Sequence, residues 1–336
     1  MTKAATRTAA QSPTTGIKAD VYTRVTERIL ADLAQGVRPW MKPWSAANTE
    51  GKIARPLRFN GTPYRGMNVL LLWGEAMDRG YQASIWMTYK QAQELGGRVR
   101  KGETGSLVVY ADRFTKTETG DKGQEIEREI PFMKGYTVFN VEQIDGLPSQ
   151  YQQAPCPAPE PLQFIQQAEA FFKATGARFQ HGGNRAFYAP ARDFIQLPLA
   201  EAFKDPESYA ATKAHELIHW TGHESRNARE FGKRFGDDAY AFEELVAELG
   251  AAFLCADLGI TPEIRDDHAA YLGHWLQVLK QDKRAIFSAA SHAQRAADYL
   301  QGLLVGHPDR RLIAPVHRLA PQQKHVHATV GRTVEA

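Results

Sequence analysis

His215-Glu216-Leu217-Ile218-His219 is the stretch that decides the fold of this 336-residue chain. It places two imidazoles four positions apart, with a carboxylate between them. Positions i and i+4 lie on the same face of an α-helix, so both rings can bind one metal ion. Glu216 projects toward the neighbouring side, where it can take a proton from water at the metal. The stretch therefore predicts a helix that carries a hydrolytic metal site.

The residues around this motif favour a helix. Asp205-Pro206 offers an N-cap acceptor followed by proline at the first helical position, and Gly222 is placed to end the helix. An apolar stripe recurs between them at helical spacing and consists of Ala210, Ala211, Ala214, Leu217 and Ile218. His215 and His219 lie on the flank of this stripe, which suits a metal site at the edge of a cleft. The alternative is a surface helix with two hydrogen-bonded histidines.

A hydrolytic zinc site needs a third protein ligand, and residues 237–259 are its best source because they predict a second amphipathic helix. Glu244 and Glu248 lie four positions apart on the margin of the apolar face. Buried carboxylates need a cation or strong donors nearby. One of them would bind the metal, and the other would orient a ligating histidine. Glu243 points away from the apolar face and is predicted to be a solvated surface charge.

Two alternatives to this ligand set remain open, and the sequence offers one further candidate for the site. The two carboxylates could instead face basic residues at the edge of the helix. His223 competes as the third ligand if the chain bends back after Gly222, although this glycine is expected to redirect the chain. Tyr271, on a later helix, is a candidate transition-state donor beside the metal. Aromatic residues and histidines at helical spacing are also common in packed interfaces, and this is the other interpretation of Tyr271.

Length and proline content predict two domains. A chain of 336 residues exceeds the usual size of one hydrophobic core. Proline recurs too densely between residues 148 and 161 for helix or sheet, which predicts an extended linker. The predicted organisation is a disordered arm over residues 1–17, a first domain over 18–148, a linker over 149–161, a second domain over 162–305 and a loosely ordered tail over 306–336.

The composition argues against secreted and membrane-spanning classes of protein. No apolar run is long enough for a transmembrane helix, and the first twenty residues lack the hydrophobic core of a secretory signal. The two cysteines, Cys156 and Cys255, cannot form a disulfide framework and fit a reducing compartment. We therefore expect a cytoplasmic protein without a membrane partner.

Positive charge and aromatic residues are concentrated in the first half of the chain. Residues 1–150 carry 21 Lys and Arg against 16 Asp and Glu. Residues 38–101 alone carry eleven of these cations and eight aromatics, including four of the six tryptophans. Cations that track phosphates and rings that stack on unpaired bases are what single-strand binding requires. This window therefore predicts a site for single-stranded DNA, with an ordinary basic surface as the alternative.

The candidates for DNA contact lie in looped stretches and in the basic segment that follows them. They are Arg38, Trp40, Lys42, Trp44, Tyr64, Arg65, Lys90, Arg98, Arg100 and Lys101. Trp73 and Trp86 lie among apolar neighbours in the sequence. These two tryptophans are therefore predicted to belong to the core.

The two predicted metal helices resemble those of gluzincin-type metallopeptidases. The shared pattern is His-Glu-Leu-Ile-His followed by Glu-Leu-Val-Ala-Glu at residues 244–248. The resemblance implies that Glu244 is the third ligand and that Glu248 orients a ligating histidine. The second of these positions holds Glu where Asp is expected, which leaves open an exchange of roles between the two glutamates.

Several further motifs resemble those of ArdC-type antirestriction proteins. In the first half these are Asn-Gly-Thr-Pro-Tyr-Arg-Gly-Met-Asn at residues 60–68, Gly-Gly-Arg-Val-Arg-Lys-Gly-Glu at 96–103 and Tyr-Thr-Val-Phe-Asn-Val-Glu-Gln-Ile at 136–144. The same domain is similar to part of TraC-type plasmid primases. The second half resembles the metallopeptidase domain that accompanies it, so the match covers residues 18–305. The resemblance implies a plasmid-borne protein that binds single-stranded DNA and protects DNA from restriction enzymes during conjugation.

The predicted fold class is α+β, with an N-terminal α+β DNA-binding domain and a C-terminal zincin-like domain. Predicted helices and strands of the first domain are helices at 20–36, 69–79 and 89–95, and strands at 107–114 and 130–140 joined by a hairpin through 119–123. The second domain is predicted to contain a helix at 162–174, short strands at 186–188 and 193–197, the two metal helices and a helical stretch at 267–300. A small sheet ahead of the metal helices is the zincin order.

The resulting hypothesis is a metal-dependent peptidase that also binds DNA. Zinc, with manganese as the alternative, is held by His215, His219 and Glu244, and Glu216 is the general base. The expected partners are single-stranded DNA and a restriction enzyme or another DNA-associated protein. One rival hypothesis has a structural or inactive metal site, with protection by DNA occlusion alone. The other is a primase-related enzyme, which would need a cluster of catalytic aspartates that the sequence lacks.

Overall fold

A computed structural model describes residues 20–38, 40, 54–119, 125–151, 161–230, 238–261 and 268–305. Eight α-helices lie within these ranges and are α1 (Val21–Ala34), α2 (Met67–Arg79), α3 (Tyr89–Glu94), α4 (Pro161–Ala174), α5 (Pro206–Thr221), α6 (Asp238–Leu258), α7 (His268–Gln281) and α8 (Ala285–Leu303). Every helix in the described part of the chain is too short or too polar to cross a membrane. The described strands are β1 (Leu57–Arg58), β2 (Ile85–Met87), β3 (Arg98–Val99), β4 (Ser106–Thr119), β5 (Glu125–Asn140), β6 (Ile144–Asp145), β7 (Phe179–His181), β8 (Phe187–Ala189) and β9 (Phe194–Leu197).

The strands form three small sheets, two in the first half and one in the second. The largest has the order β1-β2-β5-β4, in which β1 and β2 are parallel and the other pairs are antiparallel. The long β4–β5 ladder runs from Ser106 opposite Val138 to Thr119 opposite Glu125. The predicted strands are confirmed there and are longer than the sequence indicated, while the hairpin turn at residues 120–124 lies outside the described residues. Strands β3 and β6 form a pair, and the third sheet has the order β7-β9-β8.

Helix α5 forms as its sequence signals predicted. The Asp205 carboxylate accepts the backbone N–H of Ser208 at 2.7 Å, Pro206 occupies the first turn, and Gly222 caps the C-terminus. Burial raises the pKa of Asp205, but the hydrogen bonds from Ser208 outweigh it and keep the pKa below its usual value. The helix is buried from Ala210 onward, so its stripe is only part of a larger enclosed surface. The caps therefore fix where the helix begins and ends, and packing fixes its orientation.

One hydrophobic core extends across both halves of the chain. Side chains of α1 and α2 pack with side chains of α6, α7 and α8 in a single buried cluster. Within it, the rings of Trp73 and Phe253 lie 5.9 Å apart, and those of Trp40 and Trp275 lie 6.5 Å apart. Length and proline content predict two domains. The two halves nevertheless share this buried cluster, so they do not have fully separate cores. Two smaller clusters lie in the second half and beneath α3.

A buried ion pair reinforces this contact between the halves. Arg55 donates to both carboxylate oxygens of Asp257 on α6, at 2.9 and 3.0 Å, and to Gln294 on α8 at 3.0 Å. The guanidinium also lies over the ring of Phe253, 4.6 Å from its centroid. Gln301 donates to the same carboxylate at 2.7 Å. The charges of Arg55 and Asp257 are thus paired and hydrogen-bonded, which is the condition for burying them.

Candidate metal centre

Helices α5 and α6 bring three potential metal ligands together. The Nε2 atoms of His215 and His219 lie 3.2 Å apart. The carboxylate of Glu244 lies 3.5 Å from His215 Nε2 and 3.6 Å from His219 Nε2. All three side chains are buried, and among the described residues they form the set of ligand atoms that lie within 4.8 Å of one another. The structure therefore brings His215, His219 and Glu244 together, as the sequence predicted.

The spacing and chemistry of these donors fit a tetrahedral metal ion. Four ligands placed tetrahedrally at 2.0–2.2 Å from an ion lie about 3.3–3.6 Å from one another. The separation of 3.2 Å between the two imidazole nitrogens is close to this spacing, and the Glu244 oxygens Oε2 and Oε1 lie 3.5 and 3.6 Å from the nitrogens of His215 and His219. Two imidazole nitrogens and one carboxylate are also the ligand set of hydrolytic zinc sites. A tetrahedral ion held by these three side chains would have a fourth position for water or substrate.

The buried charges of the site favour a bound cation. Burial lowers the pKa of His219, but the charge of Glu244 and the hydrogen bond with Glu243 outweigh it and raise the pKa to about 10. Burial raises the pKa of Glu244, but the charges and hydrogen bonds of His219 and His215 hold it well below its usual range. The space between the three side chains therefore attracts positive charge. A divalent cation bound there would take the place of the proton on His219.

The other predicted members of the site lie around this triad. Glu216 lies between the two histidines in the sequence. Its side chain is buried, with 3% of the residue exposed. Glu248 is also buried, and its Oε1 lies 3.4 Å from Nη1 of Arg38. This contact matches the alternative in which a carboxylate of α6 faces a basic residue. Tyr271 lies on α7, but its side chain lies outside the described residues.

The prediction for Glu243 was wrong. Its carboxylate is buried, with 3% of the residue exposed, and its Oε1 accepts a hydrogen bond from Nδ1 of His219 at 3.1 Å. Arg229 donates to both oxygens of this carboxylate, from Nη2 to Oε1 at 2.8 Å and from Nε to Oε2 at 2.9 Å. The pattern misleads because α6 has no solvent face from Glu243 to Leu258, so pointing away from the apolar stripe does not mean pointing into water.

His223, the competing third ligand, lies away from the metal centre. The helix ends at Thr221, and Gly222 redirects the chain into a loop. Nδ1 of His223 lies 2.8 Å from the hydroxyl of Ser225 in an exposed part of this loop. Among the described residues, the ligand set includes Glu244 and does not include His223.

Comparison with known proteins links both halves of this fold to one family. A model of zincin-like metallopeptidases matches residues 166–292, and a model of the N-terminal domain of anti-restriction factor ArdC matches residues 19–139. The crystal structure of the metal-free antirestriction ArdC protein from plasmid R388 is 46% identical, with a TM-score of 0.72. The alignment covers 86% of this chain and 99% of that structure. The chain belongs to the ArdC antirestriction protein family.

Three further relatives match most of this ArdC-family chain. The Mn(II)-bound structure of the R388 protein is also 46% identical, with a TM-score of 0.69 and coverage of 86% and 100% of the two chains. Protein y4eC of Sinorhizobium fredii is 40% identical over 298 residues, which cover 86% of this chain and 92% of that protein. A DNA primase TraC of Escherichia coli is 37% identical over 300 residues. The match covers 84% of this chain and only 27% of that primase.

The structure separates the predicted DNA contacts of the ArdC domain into two groups, and the residues of the first group are buried or paired with carboxylates of the second half. Trp40 and Tyr64 are 0% and 3% exposed, so their ring faces belong to the core and cannot stack on a base. Arg38 is directed to Glu248, and Arg65 is exposed and paired with Asp298 on α8. Two further candidates, Lys42 and Trp44, lie outside the described residues.

The second group forms an exposed basic surface around α3 and β3, which we call the α3–β3 face. Its predicted members are Lys90, Arg98, Arg100 and Lys101, and the exposed Tyr89 lies next to Lys90 on α3. Two of its cations have carboxylate partners: Lys90 lies 3.7 Å from Glu94, and Arg100 lies 2.7 Å from Glu103. Arg98 and Lys101 have no carboxylate partner in the part of the chain that the structure describes.

Sequence reasoning missed Tyr89 as a member of this surface. The residue is 51% exposed, and its ring meets Phe139 edge-on at 6.4 Å. The available signal was its position directly before Lys90 within the basic window. The face therefore combines an exposed ring with cations.

Proposed function

We propose that this ArdC-family chain is a metal-dependent peptide hydrolase that binds single-stranded DNA and protects incoming plasmid DNA from restriction during conjugation. The observation that supports the hydrolase is the buried triad of His215, His219 and Glu244, with Glu216 between the two histidines on α5. The two nitrogens and one oxygen suit zinc, and the Mn(II)-bound R388 structure supports manganese as the alternative.

The residues of the site divide the chemistry between them. A metal ion bound by the triad acts as a Lewis acid toward water and the scissile carbonyl. Glu216 is the general base that takes the proton of the attacking water and delivers it to the leaving amine. Burial of Glu216 excludes bulk water from this proton transfer and strengthens its electrostatic interactions. The products are a carboxylate and an amine, so protons and electrons balance without a further reactant.

Metal removal should abolish hydrolysis. We expect the purified full chain to cleave a fluorescent casein substrate when loaded with Zn²⁺ or Mn²⁺, because the triad supplies the three protein ligands of a hydrolytic metal site. A strong chelator should remove the activity, and the metal alone should restore it. A His215→Ala variant, which lacks one ligand, is the control and should stay inactive after metal is added back.

The outcome of this assay separates two ways of protecting DNA. Metal-loaded protein that binds single-stranded DNA but cleaves neither casein nor a purified restriction enzyme, with or without DNA, would contradict the hydrolase proposal. Protection would then come from DNA occlusion. Cleavage that resists chelation and persists in His215→Ala would point to a contaminating protease and would contradict the proposed site.

For DNA binding, the α3–β3 face is the surface that we propose. Four cations lie beside one half-exposed ring, and two of the cations lack carboxylate partners among the described residues. Phosphate contacts give affinity without sequence preference, and stacking selects unpaired bases over a duplex. Binding there would concentrate the hydrolase on DNA-associated proteins such as restriction enzymes. The proposal selects this surface from the wider basic window that the sequence indicated.

Neutralising this face should weaken DNA binding and flatten its salt dependence. We expect a variant with Lys90, Arg98, Arg100 and Lys101 changed to Gln to reduce the slope of log K against log salt by about 2–3, because each phosphate contact on a single strand contributes about 0.7. The measurement is a salt series of fluorescence anisotropy with a single-stranded oligonucleotide and the full chain. Tyr89→Leu should weaken binding by about 1–3 kcal/mol if its ring stacks on a base.

A matched variant distinguishes a site from general electrostatic attraction. Four exposed cations of the second half can be changed to Gln with the same loss of charge, and they are Lys173, Arg185, Lys204 and Lys280. This control should bind with a nearly unchanged slope. Equal losses in both variants would show that DNA responds to net charge alone, and the α3–β3 face would then be rejected as the site.

A further inference from the structure

Glu243 occupies an unusual position relative to the metal centre. It directly precedes the ligand Glu244 on α6, yet its own carboxylate faces the far side of the His219 ring, 3.1 Å from Nδ1. The opposite nitrogen of that ring, Nε2, faces Glu244 and His215. One imidazole thus lies between two adjacent glutamates, with one nitrogen toward each of them.

Arg229 fixes the position of Glu243. Its Nε and Nη2 bind the two carboxylate oxygens at 2.9 and 2.8 Å, which is the bidentate arrangement that favours a fixed geometry. The remaining donors bind the last turn of α5, with Nη1 on the Thr221 hydroxyl at 2.8 Å and Nη2 on the Ile218 carbonyl at 2.7 Å. The same guanidinium therefore holds the carboxylate and the helix end that carries His219.

The loop after α5 is shaped to return Arg229 to this place. Its backbone N–H donates to the carbonyl of Gly222 at 2.9 Å, and Ala228 has a φ of 47°, a conformation that residues other than glycine rarely adopt. Arg229 is 8% exposed. A buried arginine with this many partners in a strained loop indicates a specific requirement at its position.

We propose that Glu243 and Arg229 are positioning residues of the metal centre. Glu243 accepts the Nδ1 proton of His219 and thereby directs the Nε2 lone pair to the metal, and Arg229 holds Glu243 in place. A neutral imidazole can carry its proton on either nitrogen, and the hydrogen bond to Nδ1 selects the form that binds metal through Nε2. The inference rests on the metal site of the proposed function but does not depend on hydrolysis.

The test measures metal affinity and fold stability separately. Carboxylate partners of ligating histidines raise metal affinity by about 10- to 100-fold. We therefore expect Glu243→Gln to weaken Zn²⁺ binding by about that factor and to release the ion faster in competition with a chromophoric chelator. The thermal midpoint of the metal-free full chain should fall as well, because the substitution leaves the buried charge of Arg229 without its carboxylate.

Asp257→Asn is the matched control, because Asp257 is an equally buried carboxylate of α6 in a bidentate pair with an arginine, Arg55. This substitution should lower the thermal midpoint of the metal-free protein and leave Zn²⁺ affinity unchanged. If Glu243→Gln does not fold, the double variant Arg229→Met with Glu243→Gln removes both charges and serves in its place. It should fold and show the same loss of affinity.

If Glu243→Gln or the double variant binds Zn²⁺ as tightly as the wild type, the positioning role is overturned. A change in the melting temperature does not alter this conclusion. Failure of the wild-type chain to bind Zn²⁺ would overturn it as well, together with the metal site. A chain that binds Zn²⁺ tightly but cleaves no peptide would remove the proposed hydrolase and leave the positioning role intact. The two proposals can therefore fail independently.

Discussion

Glu216→Gln is expected to reduce peptide hydrolysis by about 100- to 10,000-fold, the usual contribution of a general base. The amide has nearly the same size as the carboxylate but cannot accept the proton of the attacking water. Because Glu216 is not one of the three converging ligands, the variant should bind Zn²⁺ with nearly wild-type affinity. The measurement is kcat/KM for a peptide substrate, with the metal content of the same sample determined in parallel.

Glu207→Gln is the control for this experiment, because it makes the same chemical change in the first turn of the same helix. Its carboxylate accepts the backbone N–H of Thr261 at 3.1 Å and lies two turns away from the ligands along α5. This variant should keep its activity. Hydrolysis that survives Glu216→Gln would assign the general base to another residue, whereas loss in both variants would indicate a distorted helix.

The same variant separates hydrolysis from protection. If plasmid DNA stays protected from restriction in cells that carry Glu216→Gln, while peptide cleavage is lost, the α3–β3 face must be sufficient for protection. If protection disappears together with cleavage and DNA affinity is unchanged, the hydrolase is required. DNA binding by this variant should match the wild type, because Glu216 is buried on α5 and is not a member of the α3–β3 face.

The features that sequence predicted correctly are mainly local. The two histidines share a face because helical geometry fixes positions four apart, and Asp205, Pro206 and Gly222 set the limits of the helix without help from the rest of the fold. The choice of Glu244 needed more, because it depends on how α6 packs against α5. The resemblance to known metallopeptidases supplied that information, and periodicity alone left both Glu244 and Glu248 open.

The errors have a common physical cause, the core that the two halves share. Helix α6 lies inside this core and is enclosed on every side from Glu243 onward, so an amphipathic pattern gives no guide to its faces. Trp40 and Tyr64 were predicted on the surface because aromatic rings beside cations resemble a stacking platform. Both rings instead fill the core cluster, and Trp40 packs near Trp275 of α7. Contacts between residues so far apart in sequence leave no local signal.

Removal of Arg55 should destabilise the whole chain because of this shared core. We expect Arg55→Ala to lower the free energy of unfolding by about 3–5 kcal/mol, since it leaves the carboxylate of Asp257 buried without its cation. The substitution also removes the contact of the guanidinium with Phe253. Urea denaturation of the full chain, followed by both tryptophan fluorescence and circular dichroism, measures the effect.

Arg65→Ala provides the comparison that isolates burial. Arg65 and Arg55 both come from the first half and both pair with an aspartate of the second half, but the Arg65 side chain is 60% exposed and that of Arg55 only 2%. An exposed pair contributes about 0–1 kcal/mol, so this variant should unfold almost like the wild type. Equal effects of the two substitutions would show that burial of the Arg55–Asp257 pair is unimportant.

The shape of the unfolding curve tests the shared core itself. Two domains with separate cores would unfold in two steps, and Arg55→Ala would mainly loosen their contact. A core that includes α1, α2, α6, α7 and α8 should instead unfold in one transition, with fluorescence and circular dichroism changing together in the wild type. Arg55→Ala should then shift the whole transition to lower urea without splitting it. Two resolved steps in the wild type would contradict the single core, and the first half could then be studied as an independent DNA-binding domain.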